Sequence, residues 1–104
     1  MEVKVNVSID LNNRKAIVKI TEYIDIPCVK RDTGERFILE SDEGGYSCVE
    51  RRGKKYYHVN YLRERNMFGE WIMGSEKPIY ERRIRKKEAI ELLRKAITRQ
   101  LQNR

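Results

Sequence analysis

Histidine, cysteine and proline are nearly absent from this 104-residue chain, which carries one His, two Cys and two Pro. Cys28, Cys48 and His58 make neither a Cys-x-x-Cys knuckle nor the four ligands of structural zinc, so no metal site is expected. Both thiols read as small buried hydrophobes; a Cys28–Cys48 bridge, unusual in an ordinary cytosol, is the alternative. Long apolar runs are missing too. Nothing approaches the roughly 18–20 residues that span a bilayer, and Met1-Glu2-Val3-Lys4 opens an alternating pattern, not a signal peptide, so a cytoplasmic protein is expected.

A general base needs a placed partner as well as a suitable pKa, and the spacing around His58 supplies none. Asp25, Asp32, Glu40, Asp42 and Glu50 suggest a metal nuclease, but Asp32 and Asp42 sit in turn chemistry that accounts for them without a metal. A metal-independent RNase acting through Tyr, Arg and His needs no local signature and stays open as the catalytic alternative. The expectation is a non-enzymatic protein with no cofactor.

What the chain has in abundance is charge, at 38% of residues, with 39% apolar residues left to build a core. Arg, Glu, Lys and Ile are plentiful and Gln is limited to two, the ion-pair-rich composition of thermophile proteins. The charge is unevenly divided. Residues 1–44 hold 7 Lys+Arg against 9 Asp+Glu, whereas residues 45–104 hold 16 against 7, so a net +9 sits in the second half of a chain of net +7. Tyr46, Tyr56, Tyr57, Tyr61, Phe68, Trp71 and Tyr80, seven of the nine aromatics, lie there as well. Cations release the counterions of a phosphate backbone and flat rings stack on bases, so nucleic acid, DNA or RNA, is the leading partner.

The length fits one domain, residues 1–104. Residues 1–62 read mainly as β hairpins. Val3, Val5, Val7 and Ile9 alternate with polar residues, Leu11 to Arg14 supplies a turn, and Lys15 to Glu22 resumes with Ile17, Val18 and Ile20. Pro27 marks an edge or bend within Tyr23–Lys30. Cys28–Phe37 and Cys48–Tyr56 each read as strand, Gly-containing turn, strand, and residues 40–45 between them as an acidic loop. Residues 63–77 read as a loop with a short apolar plug, 78–84 as a last strand, and 86–103 as a helix with Ile90, Leu93, Ile97 and Leu101 on one stripe. The order predicts an α+β fold: an antiparallel sheet or small open barrel of five to six strands with the C-terminal helix packed on it.

Two clusters carry the functional expectation. With Arg52-Gly53 as a two-residue turn, Val49 pairs with Tyr56, Cys48 with Tyr57 and Ser47 with His58. Tyr46, Cys48, Tyr57, Val59 and Tyr61 then form a core face. The other face offers Tyr56 for stacking and His58 and Asn60 as donors, beneath a cationic tip of Arg51, Arg52, Lys54 and Lys55. The second cluster is Arg82, Arg83, Arg85, Lys86 and Lys87, five cations in six residues, repelling one another unless an anion is near. These twelve residues are the predicted nucleic-acid site. A lipid surface ranks below nucleic acid because no large exposed apolar group accompanies the run on the helix. The alternative is a protein-binding module, an inhibitor or assembly factor, whose basic face covers an acidic or nucleic-acid-binding surface of a partner. Leu92 widens the apolar arc of the helix, so a homodimer through the helix is also expected, unless Leu92 packs beneath the residues 69–74 of its own chain.

Overall fold

The computed structural model describes residues 5–19 and 22–103. Eight strands precede one helix: β1 (Val7–Asp10), β2 (Lys15–Val18), β3 (Glu22–Asp25), β4 (Cys28–Arg31), β5 (Gly34–Asp42), β6 (Gly45–Arg52), β7 (Lys55–Leu62), β8 (Lys77–Ile84) and α1 (Lys86–Gln102). They form two antiparallel meanders, β1-β2-β3 and β4-β5-β6-β7-β8, and no closed barrel. The α+β class with a C-terminal helix stands, divided over two sheets and eight strands. Pro27 explains the division. It follows the buried Ile26 at the point where the chain leaves the small sheet for the large one, and its carbonyl accepts from the Ile38 N–H.

The alternation from Val5 to Ile9 is used as expected, with Val7 buried and Val5 and Ile9 packed against the core; Val3 and Ile20 lie outside the described residues. Asp10 holds the following turn by accepting from the Asn12 and Asn13 N–H groups. The positive φ there falls on Arg14 (54°) and not on an asparagine. One core joins both sheets to the helix: Val7, Leu11, Ala16 and Ile26 from the small sheet, Phe37, Val49 and Tyr56 from the large one, and Ala89, Leu93, Ala96 and Ile97 from α1. Arg94 adds a polar anchor, its Nε donating to the Val7 carbonyl at 2.8 Å. Leu92 packs at the edge of this core.

Three local expectations change. The β6–β7 turn is Gly53-Lys54, so Arg52 pairs with Lys55, Arg51 with Tyr56, Val49 with His58 and Cys48 with Val59. Gly53 takes positive φ (63°) at the first central position, the type II′ arrangement, whereas the predicted turn placed it second. The slip is two residues, so each side chain keeps its face. Residues 40–45 are not a loop: β5 runs to Asp42 and β6 begins at Gly45, where a Cβ would stand 2.0 Å from the Tyr61 carbonyl oxygen. The segment between β7 and β8 plugs nothing. It extends their ribbon through an Arg65–Trp71 bridge, with the Arg65 guanidinium 4.1 Å from the Trp71 ring, and leaves Met67, Phe68, Ile72 and Met73 exposed.

The face of the large sheet opposite the main core is closed by its own side chains. Tyr46, Cys48, Val59 and Tyr61 form a second buried cluster. Arg36 lies 3.9 Å over the Tyr61 ring and Arg52 4.3 Å over the Tyr57 ring. Beneath them Glu50 is fully buried, accepting from Arg36 Nε at 2.7 Å, from Arg52 and from the Tyr61 hydroxyl. Burial pushes the Glu50 carboxyl up, but these hydrogen bonds outweigh it and hold it below its ordinary 4.5. A carboxylate with a depressed folded pKa contributes stability that is complete above about 4.5 and lost as pH falls through the folded value. Glu50→Ala, which leaves the buried Arg36 without a carboxylate and Arg52 with Glu81 alone, is expected to cost about 3–5 kcal/mol in urea denaturation at pH near 7. Repeating the wild-type measurement at about pH 3 should show the stability falling on acidification, with a smaller fall in Glu50→Gln.

A candidate anion-binding cleft

The large sheet brings the two cationic clusters together. The β6–β7 turn ends beside the junction of β8 and α1 because Tyr56, at the start of β7, pairs with Ile84, at the end of β8. A cleft of 910 Å³ opens there, lined by Arg51, Lys54, Lys55, Arg83, Arg85 and Lys86, with Asn12 contributed by the β1–β2 turn and Glu88, the partner of Arg82, as its one carboxylate among the described residues. Tyr56 and Ile84, both buried, are its apolar floor. The first turn of α1 adds to the field. Arg85 occupies the N-cap position and no side chain caps the helix, so the dipole and the N–H groups of the first turn favour an anion beside these cations.

Ion pairing sorts the nine cations among the twelve predicted residues into three groups. Arg51 and Arg52 are committed to structure: Arg51 donates to Glu35 at 3.1 Å, beside the Arg14–Glu35 pair, and Arg52 bridges Glu50 and Glu81. Arg82 pairs with Glu88 at 2.6 Å. Lys54, Lys55, Arg83, Arg85, Lys86 and Lys87 are exposed and form no ion pair among the described residues. Those six hold the unpaired charge of the two clusters.

The stacking role expected of Tyr56 is overturned. Its ring is 8% exposed and packed in the main core, because α1 covers the face of the sheet that was expected to stay open. His58 and Asn60 share that face but lie half-buried farther along β7, away from the cationic cleft. The His58 ring meets Tyr80 edge-on, with centroids 6.1 Å apart. Residues not expected at a site and found at the cleft, Asn12, Gly53, Ile84 and Glu88, carry no sequence signal of their own; the fold brings them there.

Cys28 and Cys48 are free thiols. Burial pushes the Cys48 thiol up to about 12, so it stays protonated and unreactive near neutrality. Among the described residues no three His, Cys, Asp or Glu side chains cluster as metal ligands, and no helix is long and apolar enough to cross a membrane. No protein-family model, curated protein or solved structure matches this chain, so the functional reading rests on the cleft itself.

Burial first, and then the neighbouring Arg82 charge, lowers the His58 pKa from its ordinary 6.5, while Glu88 opposes them. The imidazole is therefore neutral at pH 7. An NMR titration of this single histidine should give a midpoint below 6.5. Arg82→Ala should raise it, because the substitution removes a cation and frees Glu88.

Proposed function

We propose that this chain is a non-enzymatic nucleic-acid-binding protein that holds a phosphate backbone in the cleft between the β6–β7 turn and the start of α1. The observation that carries the reading is convergence. Two cation clusters some thirty residues apart in sequence meet at one opening, and six of their nine cations have no carboxylate partner among the described residues. Like charges gathered at a helix N-terminus are unfavourable for the isolated fold and favourable once an anion sits among them. Backbone contacts made by Lys and Arg position a nucleic acid without reading its sequence, so the affinity arising here is largely sequence-independent.

Fluorescence anisotropy with labelled oligonucleotides at about 50 and 200 mM salt tests the reading, since each phosphate neutralised contributes about −0.7 to −0.9 to the slope of log K against log salt. Lys86→Gln with Lys87→Gln is expected to flatten that slope by about one to two units and weaken binding of every sequence alike. Lys77→Gln, at the far end of β8, is expected to leave the slope unchanged. Absence of binding at the lower salt, or equal losses from both variants, defeats the proposal.

One observation favours a second reading, the protein-binding module. Of the nine exposed large hydrophobics among the described residues, seven lie between Leu62 and Tyr80, and the Met67–Phe68 tip is 90% and 78% exposed. A concentration of this kind marks an interaction surface more often than scattered apolar residues do. A defined protein partner that stays bound after nuclease treatment and is released by Phe68→Ser would support this reading over the first.

A further inference from the structure

The core on the helix side of the large sheet does not extend along the whole of β7. Past Tyr56, the ladder continues on that face with the Val49–His58 and Ser47–Asn60 pairs. Val49 is core, but Ser47, His58 and Asn60 are half-buried and border a recess of 1360 Å³ between the sheet and the C-terminal half of α1. Leu92 and Ala96 supply an apolar wall, and Trp71 stands beside the β5–β6 turn at Gly44. None of the three polar side chains hydrogen-bonds within the described residues, and no fully buried side-chain polar atom there lacks a partner. Their unused donors and acceptors are therefore accessible to a ligand.

The charge around this recess differs from that of the cationic cleft. Lys95 and Arg99 on the helix are offset by Glu40, Asp42 and Glu43, and Arg99 is already paired with Glu40. Carboxylates at the rim disfavour a bare phosphate and suit a neutral polar group. The Asn60 amide presents a donor and an acceptor side by side, the pattern that matches the edge of a base, and the neutral His58 and the Ser47 hydroxyl each add one of either kind. Tyr80, 46% exposed and edge-on to His58, leaves a ring available for stacking.

The two openings lie on one flank of α1. Tyr56 borders the cationic cleft and Asn60 the recess, four residues or about 13 Å apart along β7. We infer that the recess takes a nucleobase from a strand whose phosphates rest in the cleft, so that the chain binds single-stranded nucleic acid in preference to duplex. In a duplex the same base is stacked and paired and enters only by flipping out, whereas a single strand presents its edges directly. This inference rests on the nucleic-acid reading above and adds the form of the ligand and the residues that hold it.

The test compares three oligonucleotides of one length at a fixed salt concentration: an intact single strand, its duplex, and a single strand with abasic sites. The intact strand is expected to bind about tenfold more tightly than either of the others, the scale of one stacked base. Asn60→Ala should erase most of that difference while leaving the salt slope unchanged, because the phosphate contacts lie elsewhere. Should Asn60→Ala fold poorly by circular dichroism, the wild-type protein decides the matter. A nucleoside at millimolar concentration should change the fluorescence of Trp71, the sole tryptophan, and shift the NMR signals of His58. Equal affinity for all three oligonucleotides, or a nucleoside that perturbs neither group, overturns the inference while the phosphate cleft stands. Failure of all three to bind at about 50 mM salt overturns the nucleic-acid reading and the recess with it.

Discussion

A single carboxylate organises the large sheet. Glu50 on β6 receives Arg36 from β5, Arg52 from its own strand and the Tyr61 hydroxyl from β7, and Arg52 carries the connection to Glu81 on β8. Four adjacent strands are thereby tied through one buried charge. A charge in this position is costly to desolvate, and the two cations and one hydroxyl that donate to it offset that cost. Here the donors also do a second task. Arg36 and Arg52 lie over the Tyr61 and Tyr57 rings, so the groups that neutralise Glu50 also pack against the aromatic side chains that surround Cys48 and Val59. Tyr61, buried and bonded to the carboxylate, has its hydroxyl raised to about 12 and remains a donor throughout the neutral range.

The same accounting separates two populations of cation in a chain of net +7. Arg36, Arg51, Arg52 and Arg63 are partly or fully withdrawn from solvent, each against a glutamate. Arg63 extends this pattern to the β5–β6 turn by donating to the Asp42 and Glu43 carbonyls. The cations at the β6–β7 turn and at the start of α1 have no such partners among the described residues and gather at one end of the sheet. A high count of positive residues therefore does not measure the field available to a ligand; their pairing does.

Periodicity made much of the architecture legible. The stripe Ile90, Leu93, Ile97 and the alternation Val5, Val7, Ile9 each have one buried face, and one-sided patterns translate directly into helix and strand. The β6–β7 hairpin was legible only in part. Both of its faces carry apolar side chains, Val49 and Tyr56 on one and Cys48, Val59 and Tyr61 on the other, so the pattern could not say which of them the helix would cover. That ambiguity is why the pattern alone offers Tyr56 to a ligand, whereas the helix makes it core. The turn register was hidden for a different reason. Gly53 satisfies a positive φ at either central position of a two-residue turn, and only the neighbouring strands decide between them. The meeting of the two cation clusters was beyond local reading altogether, since it depends on β8 pairing with β7 across an intervening ribbon of fourteen residues, 63–76.

A side chain added at Gly53 would meet no atom within 4 Å, yet the positive φ of the turn reserves the position for glycine, whereas Lys54, Lys55, Arg83, Arg85, Lys86 and Lys87 project from exposed positions that accept other side chains. Substitutions at such sites combine with little coupling to those in the core. The charge presented at this end of the molecule can thus be altered by single substitutions that change what the cleft holds and leave the fold intact, whereas the arginines bound to Glu50 cannot be replaced without a cost to folding.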